Sequence, residues 1–380
     1  MMETFGGILG NEAALRLLEK ALKSGQVAHA YLFYGPPGVG KRTVAWRFGA
    51  ALVAGGDAGA EDRARRGLHP DLSKVEPDGA FTKIGQVREV VRLAASRPFE
   101  GTRRVFVLEA DTLNVQAANA LLKTLEEPEG EAVFVLLAAS REGVLPTILS
   151  HAQAMRFNPL PTTVVARFLE ERGVEEPRLA AALGRGSVGL SLRYAQEREL
   201  KELREATFEV GFSLQGDFEE RVRTVGEIIA RAEAVGAAQE TAFLERFEEP
   251  DRRAREEAKR TSRAARDDAV REALELLALT YRDAAMIAAG VPELVANVDR
   301  VEEIRHRAEE YRGADWAGAA LELGEARVAL AYNVSPEAIL EVALSRIRRR
   351  ILELSRGSWT SASQGGQPRS SATLETSTFG

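Results

Sequence analysis

A glycine-rich stretch near the start of the chain has the residue types and spacing that bind phosphate. Residues 35–41 read Gly-Pro-Pro-Gly-Val-Gly-Lys, and the phosphate-binding loop motif asks for Gly, four free positions, Gly, Lys, and then Ser or Thr. Gly35, Gly38 and Gly40 let backbone N–H groups close around phosphate oxygens, and Lys41 supplies a positive charge for the terminal phosphates. An apolar, strand-like run precedes the loop and a helical run follows it, as this motif requires.

The position after the lysine departs from the motif. It holds Arg42, where a Ser or Thr hydroxyl ligates the Mg²⁺ that bridges the last two phosphates. An arginine cannot ligate a cation, and Thr43 comes one residue late, about 100° around the helix. The sequence therefore predicts a phosphate cradle with an incomplete magnesium site.

A second stretch has the pattern of the acidic segment that such a loop works with. Residues 105–111 read Val-Phe-Val-Leu-Glu-Ala-Asp, and an ATPase of this type needs acids where a second buried strand ends. Leu108 stands first there and Glu109 second. Glu109 keeps the chemistry of a base, but the metal has lost another ligand. Asp111 precedes a helical run, so it is predicted to be a helix cap or a structural acid.

Composition limits the class of protein. The 380 residues are 45% apolar and 28% charged, with no cysteine and four separated histidines, which predicts a globular chain of two or three domains without disulfides, thiolate metal sites or a histidine metal motif. No run approaches the ~18 apolar residues of a membrane helix, and the N-terminus lacks signal-peptide features, so we expect the cytoplasm and no membrane partner. The formal charge of −6 argues against coating DNA by bulk electrostatics.

Periodicity divides the chain. Up to about residue 160, short apolar strands alternate with helical runs, which predicts a parallel sheet covered on both faces. Asn11 is predicted to cap the first helix. Beyond Pro159-Leu160-Pro161 only helical patterns remain, including charge-rich stretches at 245–255 and 256–268, interpreted as solvated helix faces. Residues 356–380 are mostly Ser, Thr, Gly and Gln, with almost no aliphatic side chains, and we expect them to be disordered.

Several segments resemble the AAA+ clamp-loader subunits of bacterial DNA polymerase III. The most specific is 117–128, Ala-Ala-Asn-Ala-Leu-Leu-Lys-Thr-Leu-Glu-Glu-Pro. The other matching segments are 8–11, 28–33, 69–72, 145–150 and 331–336, the last similar to the family's collar-helix motif. The resemblance implies an α/β P-loop AAA+ domain at 1–160, a helical lid at 161–200, an all-α collar domain for oligomerisation at 201–355 and the tail.

Measured against this family, four positions depart from an active ATPase. Besides Arg42 and Leu108, the family's arginine-finger motif Ser-Arg-Cys is replaced by Ser150, His151 and Ala152, and Gly189 stands where active members often place a lid arginine. Histidine is shorter and mostly neutral at pH 7, so Arg141 or Arg156 is left as a substitute, or the interface is weak. The zinc-binding cysteines of many relatives are missing from 55–66. The resemblance thus implies a non-hydrolysing subunit with no catalytic residues, no zinc and no required cofactor, with bound but unhydrolysed ATP or ADP left open.

The implied partners are gamma/tau-type and delta-type loader subunits, with the sliding clamp reached indirectly and primer–template DNA through the assembled complex. Lys83, Arg88 and Arg92 lie on a predicted helix and are candidate DNA contacts, weighed against ordinary surface charge. Two alternatives stay open: an active AAA+ ATPase of the gamma/tau or branch-migration-helicase type, which Arg42 and Leu108 oppose, and a P-loop nucleotide sensor outside replication, which the segment 117–128 opposes.

Overall fold

The protein is described from a computed structural model covering residues 4–77, 81–128, 130–213, 218–330 and 334–362. It divides into two compact units, 1–196 and 197–380. The elements of the first unit are α1 (Glu12–Ser24), β1 (Ala30–Tyr34), α2 (Lys41–Ala54), α3 (Ala58–Arg65), β2 (Leu72–Val75), α4 (Ile84–Ala94), β3 (Arg104–Glu109), α5 (Val115–Glu126), β4 (Ala132–Ala138), α6 (Pro146–His151), β5 (Gln153–Arg156), α7 (Thr162–Glu170), α8 (Pro177–Leu183) and α9 (Val188–Gln196).

The five strands form one sheet in the order β2-β3-β4-β1-β5, with every adjacent pair parallel. Successive side chains of a strand face opposite sides, so Tyr31 and Phe33 pack with Phe48 of α2 in one buried cluster while Leu32 packs with Leu121 of α5 in the other. The predicted α/β sheet with helices on both faces is confirmed. Because all strands run the same way, their carboxyl ends meet at one edge, where such folds bind ligands.

The start of α1 differs from the sequence-based expectation. Asn11 does not cap α1: it has φ 55° and its side chain makes no cap hydrogen bond. Instead its Oδ1 accepts from the Asn158 N–H at 2.8 Å, and its Nδ2 donates to the Asn158 carbonyl at 3.3 Å. Asn11 therefore ties the start of the chain to the segment after β5.

The lid helices α7 to α9 share a small core that includes Val165, Leu169, Ala180 and Ala181. They belong to the same compact unit as the sheet. The next helix already begins at Arg198, so the expected lid boundary at residue 200 falls inside that helix and moves to residue 196.

The second unit is helical throughout its described parts. Its helices are α10 (Arg198–Phe212), α11 (Phe218–Leu244), α12 (Arg252–Ala288), α13 (Val301–Glu310), α14 (Trp316–Ala329) and α15 (Pro336–Ala362). Rings of Phe212, Tyr281 and Trp316 meet in its core at centroid distances of 6.0 to 6.5 Å. Buried Arg204 of α10 is held by Asp299 at 2.7 Å.

The C-terminal expectations need one correction. Helix α15 continues to Ala362, so residues 356–362 are helical and not disordered as expected, because the helix propagates from its apolar part. Residues 363–380, and residues 331–333 of the collar-like motif, lie outside the described residues. Over the described ranges, no helix has both the length and the apolar composition needed to span a membrane.

Candidate functional site

The glycine-rich loop lies between β1 and α2, at the carboxyl edge of the sheet. Gly35, Gly38 and Gly40 have φ of 147°, 76° and 93°, values that L side chains rarely adopt. A Cβ on Gly35 would also lie 2.0 Å from the Phe157 carbonyl oxygen. The predicted loop glycines are therefore required by backbone conformation, and at Gly35 by a close approach to the chain after β5.

Lys41 begins α2 and folds back over this loop. Its Nζ donates to the Gly35 carbonyl at 2.5 Å and to the Pro36 carbonyl at 2.8 Å. Burial lowers the pKa of Lys41; the nearby Glu109 and Asp111 carboxylates counteract part of this and the Arg42 charge adds to it. A phosphate in the cradle would compete with these carbonyls for the ammonium group.

Arg42, at the position of the magnesium ligand, forms an ion pair with Glu109. Its Nη2 donates to Glu109 Oε1 at 2.6 Å, which joins the first turn of α2 to the end of β3. The bond is charge-assisted and correspondingly short. The guanidinium therefore neutralises the one acid of the expected pair that the sequence retains.

Leu108, the other half of the degenerate acidic pair, does not reach the site. It is 1% exposed and packs in the core cluster that contains Leu121. The second carboxylate at the site is Asp111, whose Oδ2 accepts from the Ala139 N–H at 2.6 Å. Desolvation raises the pKa of Asp111; the Ala139 N–H opposes this, the Glu109 charge adds to it, and the Lys41 charge opposes it. Asp111 caps no helix, since Asn114 caps α5 by accepting from the Ala117 N–H.

A cavity of about 630 Å³ opens over the loop, a size common for small-molecule sites. Its charged lining includes Lys41, Arg42, Glu109 and Asp111. Thr43, expected to point away, also lines it. The rest of its lining is largely apolar and comes from the N-terminal segment, the end of the sheet and the lid, including Ile8, Leu9, Leu160, Phe168, Val188 and Leu192. A nucleotide needs both kinds of lining, charged groups for its phosphates and apolar surface for its base.

A side-chain hydrogen bond joins the lid to the loop. The buried Ser187 hydroxyl donates to the Gly38 carbonyl at 2.8 Å and accepts from the Leu190 N–H at 3.1 Å. A Cβ on Gly186 would lie 2.7 Å from the Leu160 carbonyl oxygen, so the backbones are also in contact there. Gly189 lines the cavity but offers no side chain to a phosphate. The sequence analysis assigned no role to Ser187, which follows Gly186 directly in the chain.

The residues at the arginine-finger position lie on α6. The Ser150 hydroxyl donates to the Thr147 carbonyl at 2.8 Å, and His151 Nε2 lies 3.8 Å from Glu126 Oε1. Neither lines the cavity described above. Arg141 and Arg156, the suggested substitutes, are both exposed, and neither side chain has a partner within the described ranges, so both are free to reach another molecule.

The candidate DNA contacts on α4 differ from one another. Arg92 is paired with Glu89 at 2.6 Å, while Arg88 is exposed and has no partner among the described residues. Lys83, at the helix start, is exposed but makes an interaction. Of the three, Arg88 is thus the one whose charge is uncompensated.

The segment that carries zinc ligands in many relatives forms α3. Asp57 caps this helix by accepting from the Ala60 N–H at 2.9 Å, a signal that sequence analysis overlooked. Within the described ranges, no cluster of three or more His, Asp or Glu side chains is placed to hold a metal ion.

Known proteins resemble this chain, and the family match falls on the sheet domain. The family model described as "DNA polymerase III, delta subunit" matches residues 10–161. DNA polymerase III subunit delta' of Pseudomonas aeruginosa is 38% identical over 178 residues, covering 43% of this chain and 54% of that protein. DNA polymerase III subunit tau of Escherichia coli is 31% identical over 207 residues, covering 51% of this chain and 32% of that protein. A gamma subunit-related structure from Thermotoga maritima aligns over 88% of this chain and 99% of that one, with 16% identity and a TM-score of 0.44.

The chain thus spans about half the length of the delta' relative. The matched residues begin just before α1 and end just after β5, so they contain the degenerate loop, the Arg42–Glu109 ion pair and the 117–128 segment. The resemblance noted from the sequence is confirmed over these residues. Residues 10–161 are thus similar to the delta-type subunits of DNA polymerase III.

Proposed function

We propose that the chain is a non-hydrolysing, delta-prime-type subunit of the DNA polymerase III clamp loader and assists the ATP-driven loading of the sliding clamp onto primed DNA. The observation that carries this proposal is the ion pair of 2.6 Å between Arg42 and Glu109. Similarity to the delta' subunit over residues 10–161 supports the assembly, and the ion pair supports the lack of hydrolysis.

Hydrolysis of a terminal phosphate needs a metal that bridges the last two phosphates and a base that activates water. Arg42 supplies no oxygen ligand for the metal. Its guanidinium also binds Glu109, the carboxylate left to act as the base. At Leu108, where the family's metal-binding acid would stand, the side chain is buried in the core. Both requirements, the metal site and the base, are therefore weakened.

The cavity nevertheless keeps the features that bind a nucleotide. We propose that it takes ATP or ADP without magnesium, because the Arg42 charge lies where the cation's charge would otherwise balance the phosphates. The ligand is not required for folding, since Ser187 already fastens the lid to the loop. No zinc is involved, because the segment 55–66 has neither cysteine nor histidine.

In the assembly, the chain would act as a rigid member against which gamma/tau-type and delta-type subunits move. The helical unit at 197–362 would supply its collar contacts. Leu321 of α14 and Val342 of α15 are 74% and 51% exposed, and exposed apolar side chains of this size are available to a partner. DNA and the sliding clamp would be reached through the complex, in the cytoplasm.

Two experiments test the two parts separately. The purified chain, incubated with ATP and Mg²⁺ with or without primed DNA, should show no turnover above background. Steady turnover that Lys41→Ala abolishes would identify an active ATPase of the gamma/tau or helicase type. Mixed with gamma/tau-type and delta-type subunits, the chain should elute in one defined complex, and exclusion from that complex contradicts the role in assembly whatever the ATPase result.

A further inference from the structure

The outer part of helix α12 concentrates positive charge in an otherwise acidic protein. Residues 252–263 contain six Lys or Arg and two Glu, whereas the whole chain has a formal charge of −6. Sequence analysis interpreted this stretch as a solvated helix face with alternating signs. The structure separates the charges into those that are paired and those that are not.

Three of these cations form what we call the basic stripe: Arg255, Lys259 and Arg263. They follow one another at intervals of four residues and are all exposed, so they lie along one side of the helix. None of the three side chains has a hydrogen-bond or ion-pair partner in the portion of the chain that the structure describes. Other cations nearby are compensated: Arg252 pairs with Glu256 at 3.0 Å and Arg266 with Glu337 at 3.0 Å.

The helix that carries the stripe is held in place from its other side. Ala254 and Ala258 are buried, and the packing against α11 is close, since a Cβ on Gly236 would lie 2.7 Å from the Ser262 carbonyl oxygen. Asp251 caps the start of the helix by accepting from the Ala254 N–H at 2.7 Å. The stripe is therefore presented on an ordered element and is not needed to hold that element together.

We propose that the basic stripe binds the phosphate backbone of duplex DNA. From Arg255 to Arg263 the helix rises about 12 Å, and each strand of a duplex places one phosphate per about 3.4 Å of axis, so the stripe matches about three phosphate steps. Asp267, at the next interval of four, ends it. A straight row of evenly spaced cations suits a linear polyanion, and contacts with phosphates do not discriminate between base sequences.

The stripe lies in the helical unit, on a different element from the α4 cations and outside the nucleotide cavity. It is thus a second contact for DNA, beyond anything that the proposed loader role requires. The proposal can be tested on the isolated chain, so its result does not depend on assembly with other subunits or on ATP binding.

The test compares the full-length chain with the variant R255Q/K259Q/R263Q. Binding to a fluorescein-labelled DNA duplex is followed by anisotropy across a salt series. Three lost phosphate contacts should reduce the slope of log K against log salt by about 2.7, since each contact contributes about 0.9. Between roughly 50 and 200 mM salt, the wild-type chain should therefore lose about 40-fold more affinity than the variant.

The matched control is R16Q/K20Q/R178Q, which removes two arginines and one lysine that are likewise exposed and without described partners. It should keep the wild-type slope. Three results overturn the proposal: no duplex binding by the wild type at the lowest salt, an unchanged slope in the stripe variant, or an equal change in the control. If the wild-type chain binds a labelled polyglutamate through the stripe but does not bind DNA, the DNA proposal is overturned in favour of an acidic protein partner. Thermal melts of all three chains confirm equal folding.

Discussion

Replacing Arg42 by Thr should convert metal-independent nucleotide binding into metal-dependent binding. In the wild type, the Arg42 guanidinium is the positive charge beside the phosphate cradle and holds Glu109 at 2.6 Å. The variant loses that charge and leaves the Glu109 carboxylate uncompensated. It also gains a hydroxyl at the position that ligates Mg²⁺ in active loops.

The size of the effect follows from charge and exposure. A unit charge about 4 Å from a phosphate contributes about 1 kcal/mol in water and about 4 kcal/mol at a dielectric constant of ~20. Because the Arg42 side chain is 62% exposed, the figure for water applies more nearly. Glu109 repels the phosphates in both chains, so the lost cation alone costs about 1 kcal/mol, or roughly 5-fold in affinity when EDTA is present. Folding should change little, since exposed ion pairs contribute only about 0–1 kcal/mol.

Isothermal titration calorimetry with ATP and with ADP, in excess EDTA or excess Mg²⁺, measures this directly. The wild type should bind equally in both buffers, and R42T should bind about 5-fold more weakly in EDTA and recover with Mg²⁺. The control R42K keeps the charge and should stay metal-independent. Strong magnesium dependence of the wild type, equal binding by R42T in both buffers, or no wild-type binding at all would refute the reasoning.

Three further outcomes are expected. Replacing buried Asp71 by Ala leaves the Arg104 guanidinium, 3.0 Å away, without its partner; the cost should be about 3–5 kcal/mol, seen as a melting temperature lower by roughly 6–20 °C. Burial raises the pKa of Asp71, but the N–H groups of residues 99–101 and Arg104 outweigh burial and hold that pKa below its usual value. The contribution of ionised Asp71 to stability is therefore complete above the unfolded pKa of about 3.9 and is lost as pH falls through the lower folded pKa. D71A should show a shallower acid transition, and an unchanged transition contradicts this. Ser187→Ala should speed hydrogen exchange at the start of α9, because the lid loses its bond to Gly38; unchanged exchange would mean that backbone contacts alone hold the lid. A fragment of residues 197–380 should assemble with loader subunits while 1–196 binds them weakly, as pull-down would show, and full affinity in 1–196 would place assembly in the nucleotide-binding unit.

The parts of this protein that the sequence determined are those governed by local rules. The glycine loop, the buried strands and the amphipathic helices follow from spacing, since a loop that closes on phosphate needs positive φ and a doubly covered strand is apolar throughout. The absent hydroxyl at Arg42 and the absent acid at Leu108 were also visible, because each is the residue type at one motif position.

Two residues show where local rules ended: Asn11, predicted to be a cap, and Asp111, predicted to be a cap or a structural acid. Asn11 and Asp111 both stand before helices, yet each side chain bonds to a backbone distant in sequence, at Asn158 and Ala139. Asn114 caps α5 in place of Asp111, and Asp57 caps α3. A short polar side chain serves either purpose, and only the neighbouring backbone decides which.

The pairing of Arg42 with Glu109 was decided by the tertiary structure alone. These residues are 67 positions apart, and they meet because parallel strands bring their carboxyl ends to one edge of the sheet. The same holds for the Ser187 bond to Gly38 across 149 positions. Along the basic stripe, the sequence supplied the four-residue spacing, but which cations stay unpaired depends on the carboxylates that folding brings near them.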